Sequence, residues 1–142
     1  ILEKTTIPRI KISSIWPEFL EEKFFKVIEN KRIMPHFHFS IQSFSKNILK
    51  KMYRHYDDKK LDEVLKNIRN LNRSDKEFIS IWADLIIWFP WETNEDFQET
   101  LNWIEKYWIT QLHAFPFSAH LKWDNVPAWE FKNQIDEKIK KE

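Results

Sequence analysis

The side chains able to do chemistry fall into a few short stretches: His36 and His38 in "HFHFSIQS", Asp84 and Glu92 in "ADLIIWFPWET", His113 in "QLHAFPFSAH", and Arg54 in "KKMYRHYD". His36 and His38 stand two apart on an alternating segment, so they share a face, a spacing that suits a metal; satisfied interior histidines are the commoner case in general. His113 is open to the same two readings. Arg54 could clamp a carboxylate or phosphate, or lie solvated at a helix end. Around these stand Ser13, Ser14, Gln42, Ser43 and the run from His113 through Phe115 to Ser118. No nucleophile beside a general base is recognisable. A set of this kind is better suited to holding a polar cofactor than to acid–base work. Cysteine is absent, which excludes disulfides and any Cys-ligated zinc or iron–sulfur site within these residues.

The elements that must position these groups alternate. Short β-rich "RIKISS" (9–14) precedes "WPEFLEEKFFKVIEN" (16–30), where Pro17 opens a helix with Phe19, Leu20, Phe24, Val27 and Ile28 at helical spacing. "HFHFSIQS" (36–43) alternates strictly, with Phe37, Phe39 and Ile41 opposite His38, Ser40 and Gln42. "KNILKKM" and "DKKLDEVLKNIRNL" (58–71) read as helices. "EFISIWADLIIWF" (77–89) reads as a strand with both faces buried. Thr93 and Asp96 form a capping box for the helix "NEDFQETLNWIEKYW", with Phe97, Leu101, Ile104 and Trp108 expected on its buried side. "TQLHAFPF" (110–117) is a fourth strand, and "NQIDEKIKKE" a polar helix start.

Strands and helices at this rhythm imply an α/β fold of parallel strands with crossover helices. Four such units are too few to close an eight-stranded barrel. The cut look of both ends, including a start at Ile1, favours part of a larger barrel over an open sheet. In either case ligands belong at the carboxyl ends of the strands. The composition, 42% hydrophobic and 32% charged with net charge +1, is that of a globular, non-membrane chain without a signal peptide, and it points neither to nor away from nucleic acid. The 12 phenylalanines lie mostly on apolar stripes and so belong to the core rather than to a base-stacking platform.

Glycine is the anomaly: there is none in 142 residues, against eight tryptophans. A chain with strand-to-helix turns then has no cheap residue for positive φ. Two tryptophans, Trp88 and Trp91, flank the turn that leaves the third strand.

Read together, these blocks resemble the MiaB-like radical S-adenosylmethionine methylthiotransferases. "HFHFSIQSFSKNILKKMYRHYD" is similar to their "HLHLPLQSGSDxVLKxMxRxY", "ADLIIWFPWETNEDFQETL" to "TDIIVGFPGETEEDFxxTL", and "QLHAFPFSAH" to "RLHVFPYSPR". "RIKISSIWPEF" resembles "RIRLSSLEPxx", and "NQIDEKIKKE" resembles "NQVxxxxKKER". Among the branches, "HAFPFS" looks most like the one acting on threonylcarbamoyladenosine in tRNA. The resemblance places Trp88 and Trp91 on the two glycines of GFPGET, Trp108 on a helix C′ glycine, and Trp123 near a further one, with Trp82 and Trp129 as additional candidates. Its expectation is that UGA codons encoding glycine are read here as tryptophan; Phe44, on the glycine of QSGS, falls outside that explanation.

The resemblance implies residues 1–142 to be the later portion of a radical S-adenosylmethionine core, a partial TIM barrel. Ser14, Gln42, Ser43 and Arg54 would hold S-adenosylmethionine, and Asp84, the turn from Trp88 to Glu92, and Phe115 would line the nucleoside side. No catalytic or metal-ligating residue is expected within the chain. The family's CxxxCxxC loop, which binds the catalytic [4Fe–4S] cluster, falls outside these residues, as do a second cluster domain and a C-terminal RNA-binding domain. The parent would be a cytoplasmic tRNA-modifying enzyme with no DNA or membrane partner, and the 142 residues alone would be inactive. A sister branch methylthiolating a ribosomal-protein aspartate, and a cluster-free barrel-like interaction module, are the alternatives.

Overall fold

The computed structural model describes residues 1–118 together with Ile135, Asp136 and Lys138. The helix start expected at 133–142 falls on residues of which only those three are described, and Trp123 and Trp129 lie outside them. Four strands, β1 (Ile10–Ile15), β2 (Ile33–Gln42), β3 (Ser80–Ile87) and β4 (Gln111–Pro116), form one sheet in the order β1-β2-β3-β4. Every neighbouring pair is parallel. Chain order and spatial order coincide, so there is no point at which the sheet reverses direction, as a doubly wound fold requires. An arc of successive βα units is the arrangement of a barrel wall, which agrees with the sequence reading.

The crossovers are α1 (Glu22–Ile28) between β1 and β2, α2 (Lys46–Lys51) and α3 (Asp58–Arg69) between β2 and β3, and α4 (Asn94–Lys106) between β3 and β4. One face of the sheet is the core. Phe37, Phe39 and Ile41 from β2 and Ile81, Ala83 and Leu85 from β3 join Leu61, Val64, Leu65 and Ile68 of α3 in a single buried cluster. Each fully buried leucine or isoleucine there contributes about 1.5–3 kcal/mol. The other face carries the alternate residues, among them His38, Ser40, Asp84 and His113, none of them fully buried. The third strand is therefore buried on one face only: Ser80, Trp82, Asp84 and Ile86 stay partly accessible. The apolar run around it predicts two covered faces, and the difference lies in the polar character of its neighbours' facing residues.

Two helices depart from the sequence reading. The segment after β1 is not one helix but a 3-10 turn, Pro17–Phe19, then an extended Leu20 (φ −87°, ψ 112°), then α1. The break lets Leu20 enter the core, and its carbonyl accepts from Lys60 Nζ at 3.0 Å. Phe19 and Val27, expected on the stripe, are exposed. In α4 the inward residues are Asp96, Thr100 and Tyr107, with Trp103 and Ile104 partly buried, whereas Phe97, Leu101 and Trp108 are exposed. The helix is turned by its polar anchor: Asp96 points inward to Ser45 and Asn47, so Phe97 and Leu101 swing outward.

Among the described residues, seven have left-handed backbone: Ser14, Gln42, Tyr53, Lys76, Trp88, Trp91 and Trp108. Trp91 (φ 70°) is the third residue of a turn in which Glu92 N–H donates to Phe89 C=O at 2.9 Å, with Pro90 second. Proline followed by positive φ is the type II pattern, where glycine is the usual third residue. Trp108 (φ 48°) follows α4 as its C′ residue: its N–H donates to Glu105 C=O, and Ile109 N–H donates to Ile104 C=O, both at 3.0 Å. That pair of bonds is the Schellman motif, again a glycine position. Trp88 has φ 57°. So three tryptophans stand where the resemblance puts glycines and where the backbone asks for them. Trp82 does not: it lies mid-strand in β3 without positive φ. Phe44 is fully buried, stacked on Trp103 with centroids 5.5 Å apart, and serves the core. Tyr53 repeats the Schellman geometry after α2, with Arg54 N–H donating to Leu49 C=O at 3.0 Å.

Two guanidinium groups, Arg73 buried and Arg69 half-buried, hold the outer layer together. Arg73, 2% exposed, donates to the carbonyls of Ile28 (2.7 Å) and Ile33 (2.9 Å) and pairs with Asp75. Arg69 donates to the carbonyls of Tyr107 (2.8 Å), Ile79 (2.6 Å) and Trp108, tying α3 to the end of α4 and the approach to β3.

Candidate functional site at the strand carboxyl ends

The carboxyl ends of β1 and β2 are irregular in the same way. The β1–β2 ladder slips between Ser13 and Ile15, and the β2–β3 ladder slips between Phe39 and Gln42. Ser14 (φ 58°) and Gln42 (φ 72°) take left-handed backbone at those slips, and Trp88 does so one residue after β3. A left-handed non-glycine residue costs about 1–2 kcal/mol, and such strain persists where surrounding structure over-determines it, often at functional sites. Ser14 also borders a groove with Ile12, Trp16, Phe19 and Phe24.

Ser43 follows Gln42 and is buried; its Oγ accepts the N–H of Ser45 at 3.1 Å. It shapes the loop from within. Ser45 caps α2 through its Oγ, which accepts from Ile48 N–H, and the same hydroxyl donates to Asp96 Oδ1 at 2.6 Å. Asp96 also receives Asn47 Nδ2 (3.1 Å), Thr93 N–H (3.0 Å) and Thr93 Oγ1 (3.2 Å). Burial pushes its carboxyl pKa up, but the bonds from Ser45, Thr93 and Asn47 outweigh that and leave it below the usual aspartate value. The capping box predicted at Thr93 is present. The long-range half of the arrangement, 51 residues apart in sequence, has no local signal.

Glu92 closes the neighbouring turn, its Oε2 accepting Phe89 N–H at 3.2 Å. Burial raises its pKa, opposed by the backbone N–H groups of Trp88 and Phe89. On the open sheet face Asp84 is the hub: Oδ1 lies 2.7 Å from His38 Nε2 and 3.1 Å from His113 Nδ1, and Oδ2 accepts from Ser40 Oγ at 3.5 Å. His36 stands apart from this hub, edge-on to Trp82 with centroids 4.5 Å apart; burial lowers its pKa, helped by Lys11 and His38. The pair His36–His38 is thus not a two-histidine unit. His38 finds its partner across the strands.

Arg54 lies elsewhere, its guanidinium 5.2 Å from the Trp16 ring centre. It borders an outer groove with Lys46, Lys50, His55, Tyr56 and Lys60. Tyr56, whose O–H donates to Ile41 C=O at 2.5 Å, backs that groove against the end of β2. Phe115, on β4, is more than half exposed. The structure therefore brings Ser14, Gln42, Ser43, Trp88 and Glu92 to strand ends or the turns after them, sets Asp84 on the open face, and places Arg54 outside both.

An arc of parallel βα units with a polar open face is also the fold of a radical S-adenosylmethionine enzyme. Coproporphyrinogen III oxidase (HemN) from Escherichia coli, described as a radical SAM enzyme, superposes with a TM-score of 0.71 at 20% identity, over 92% of this chain and 29% of that one. No protein-family model matches the chain. Curated relatives do. The chain is 36% identical over 135 residues to the threonylcarbamoyladenosine tRNA methylthiotransferase MtaB of Thermotoga maritima, and 33% identical over 137 residues to that of Bacillus subtilis. It is 34% identical over 137 residues to the tRNA-2-methylthio-N(6)-dimethylallyladenosine synthase of Alkaliphilus oremlandii. These alignments take in 94–96% of the chain. By sequence the chain belongs to the MiaB-like tRNA methylthiotransferases. It spans 28–30% of the length of these relatives.

Proposed function

We propose that this chain is the S-adenosylmethionine-holding arc of a radical methylthiotransferase that modifies an adenosine of tRNA, with the threonylcarbamoyl branch as its substrate class. The observation that carries the reading is the alignment, nearly end to end, with relatives named for that activity. The residues suit the group. Strand ends distorted at Ser14 and Gln42 turn backbone groups out of the ladder, as a cradle for the methionine and ribose parts requires. Gln42 offers an amide that can both donate and accept. Ser43 keeps the loop in shape from inside, and Arg54 would reach from the outer groove as a cation for the methionine carboxylate.

Bound S-adenosylmethionine supplies the methyl group and, with a reduced [4Fe–4S] cluster, hydrogen abstraction from the substrate. With no cysteine in the chain, the cluster's thiolate ligands lie outside these residues. The chain's own part is binding, orientation and exclusion of water. Asp84, held by two imidazoles, faces the interior from β3 and would accept hydrogen bonds from the nucleoside. The turn from Trp88 to Glu92 and the strand end at Phe115 would border it. Glu92, already folded onto its own turn, fixes that turn's shape.

The test is made on the intact protein with its cluster-binding regions. Anaerobic reconstitution, incubation with S-adenosylmethionine and undermodified tRNA, and nucleoside mass spectrometry should give the methylthio form of threonylcarbamoyladenosine. Product only on dimethylallyladenosine would move the chain to the other branch. Product on neither would overturn the reading.

A further inference from the structure

We infer that His38, Asp84 and His113 form a mononuclear site for a divalent transition-metal ion on the open face of the sheet. The three residues come from adjacent strands β2, β3 and β4, and register brings them together: His38 pairs with Trp82, and Asp84 pairs with His113. Their donor atoms all lie within 4.8 Å of one another. A tetrahedral zinc with bonds of about 2.0–2.1 Å places its ligand atoms about 3.3 Å apart, so the present spacing of 2.7 Å and 3.1 Å about Asp84 Oδ1 needs side-chain rotation and no backbone movement.

Charge supports the assignment. Asp84 is a carboxylate with a side chain 22% exposed, and among the described residues its ion-pair partners are the two imidazoles and no lysine or arginine. Lys11, the cation facing this region, sits over the Trp82 ring, 5.6 Å from its centre. Asp84 thus places one carboxylate between two imidazoles, an arrangement that attracts a metal cation. Ser40 Oγ, 3.5 Å from the other Asp84 oxygen, supplies the outer hydrogen bond that orients a ligating carboxylate. Two imidazoles and one carboxylate suit zinc, cobalt, nickel or iron(II) and not magnesium or calcium. Three protein ligands leave a further position open, the pattern of a site that takes water or a substrate atom rather than a structural one. This geometry makes Asp84 a metal ligand in place of a nucleoside acceptor and does not depend on the S-adenosylmethionine reading.

The test uses the untagged 142-residue chain, first required to show a cooperative thermal unfolding transition, then stripped with a chelator and titrated with cobalt(II) chloride, followed by zinc chloride. One equivalent of cobalt should develop the visible d–d absorption of a four- or five-coordinate site, and zinc should bleach it. His113→Ala, a partly exposed position, should weaken cobalt binding at least tenfold while leaving the metal-free melting temperature unchanged, and Asp84→Asn should do the same. His55→Ala, in the outer groove, should change nothing. No stoichiometric absorption, or absorption that survives both His113→Ala and Asp84→Asn, would overturn the site. Since cysteine is absent, no thiolate can imitate the signal.

Discussion

Replacing Trp108 by glycine and, separately, by alanine isolates the cost of a β-carbon in left-handed backbone. Trp108 is 68% exposed at φ 48°, and its ring touches Phe78 edge-on with centroids 5.8 Å apart. Both substitutions lose that ring contact equally, so it cancels in the comparison. Alanine keeps the Cβ and its clash, worth about 1–2 kcal/mol in this region. Glycine removes the clash but frees the unfolded chain, which returns about 0.4–1 kcal/mol. The glycine variant should therefore exceed the alanine variant by about 1 kcal/mol. Urea titration should show this as a higher midpoint at unchanged slope, and thermal melting as a gap of about 3 °C. Equal stability, or alanine the more stable, would refute the claim that this position calls for glycine. The expected companion result is genetic: UGA codons at positions 88, 91 and 108, with UGG at all three refuting the recoding.

Arg73→Met leaves the carbonyls of Ile28 and Ile33 and the Asp75 carboxylate without their buried donor and should cost about 3 kcal/mol by chemical denaturation; a loss below 1 kcal/mol would show that water replaces it freely. Asp96→Asn gives up charge-assisted bonds from Ser45 and Thr93 and should cost about 2 kcal/mol at neutral pH. Because the Asp96 pKa is lowered on folding, its contribution is present above the ordinary value of 3.8 and is lost as pH falls through the folded value, so the gap between wild type and Asp96→Asn should shrink on acidification. Glu92 has the opposite sign. Burial raises its pKa, so its contribution is present below 4.5 and lost as pH rises through the folded value. Glu92→Gln should then melt higher than wild type at neutral pH, and a lower melting temperature would sink that reasoning.

How much of this was legible in the sequence depends on the range of the interaction. The alternation of "HFHFSIQS" assigns Phe37, Phe39 and Ile41 to the core and His38, Ser40 and Gln42 to the open face, because a strand has a fixed period of two. The Thr93–Asp96 capping box is a four-residue signal, and it is present. The three tryptophans at glycine positions are legible through the family resemblance, and each has the positive φ that glycine favours. What escaped needs the third dimension. The convergence of His38 and His113 on Asp84 depends on strand register, and a periodicity argument pairs His38 with His36 instead. The outward turn of Phe97 and Leu101 follows from an Asp96–Ser45 bond that no helical pattern contains. Arg69 and Arg73 carry no sequence signal of their role, yet each collects backbone carbonyls from separate segments. Tyr53 and Lys76 adopt positive φ with no sequence mark at all.

The Asp96 carboxylate makes the loop after β2 and the turn after β3 a single thermodynamic unit. One side chain accepts from Ser45 and Asn47 on the first and from Thr93 on the second, so neither loop can rearrange without breaking bonds held by the other. A ligand that orders the Gln42–Ser45 side lowers the entropy cost of ordering the Trp88–Thr93 side, and linkage requires the reverse effect to be equal. Binding at the β2 rim and binding at the β3 rim are thereby connected through one carboxylate, and any coupling between them is reciprocal.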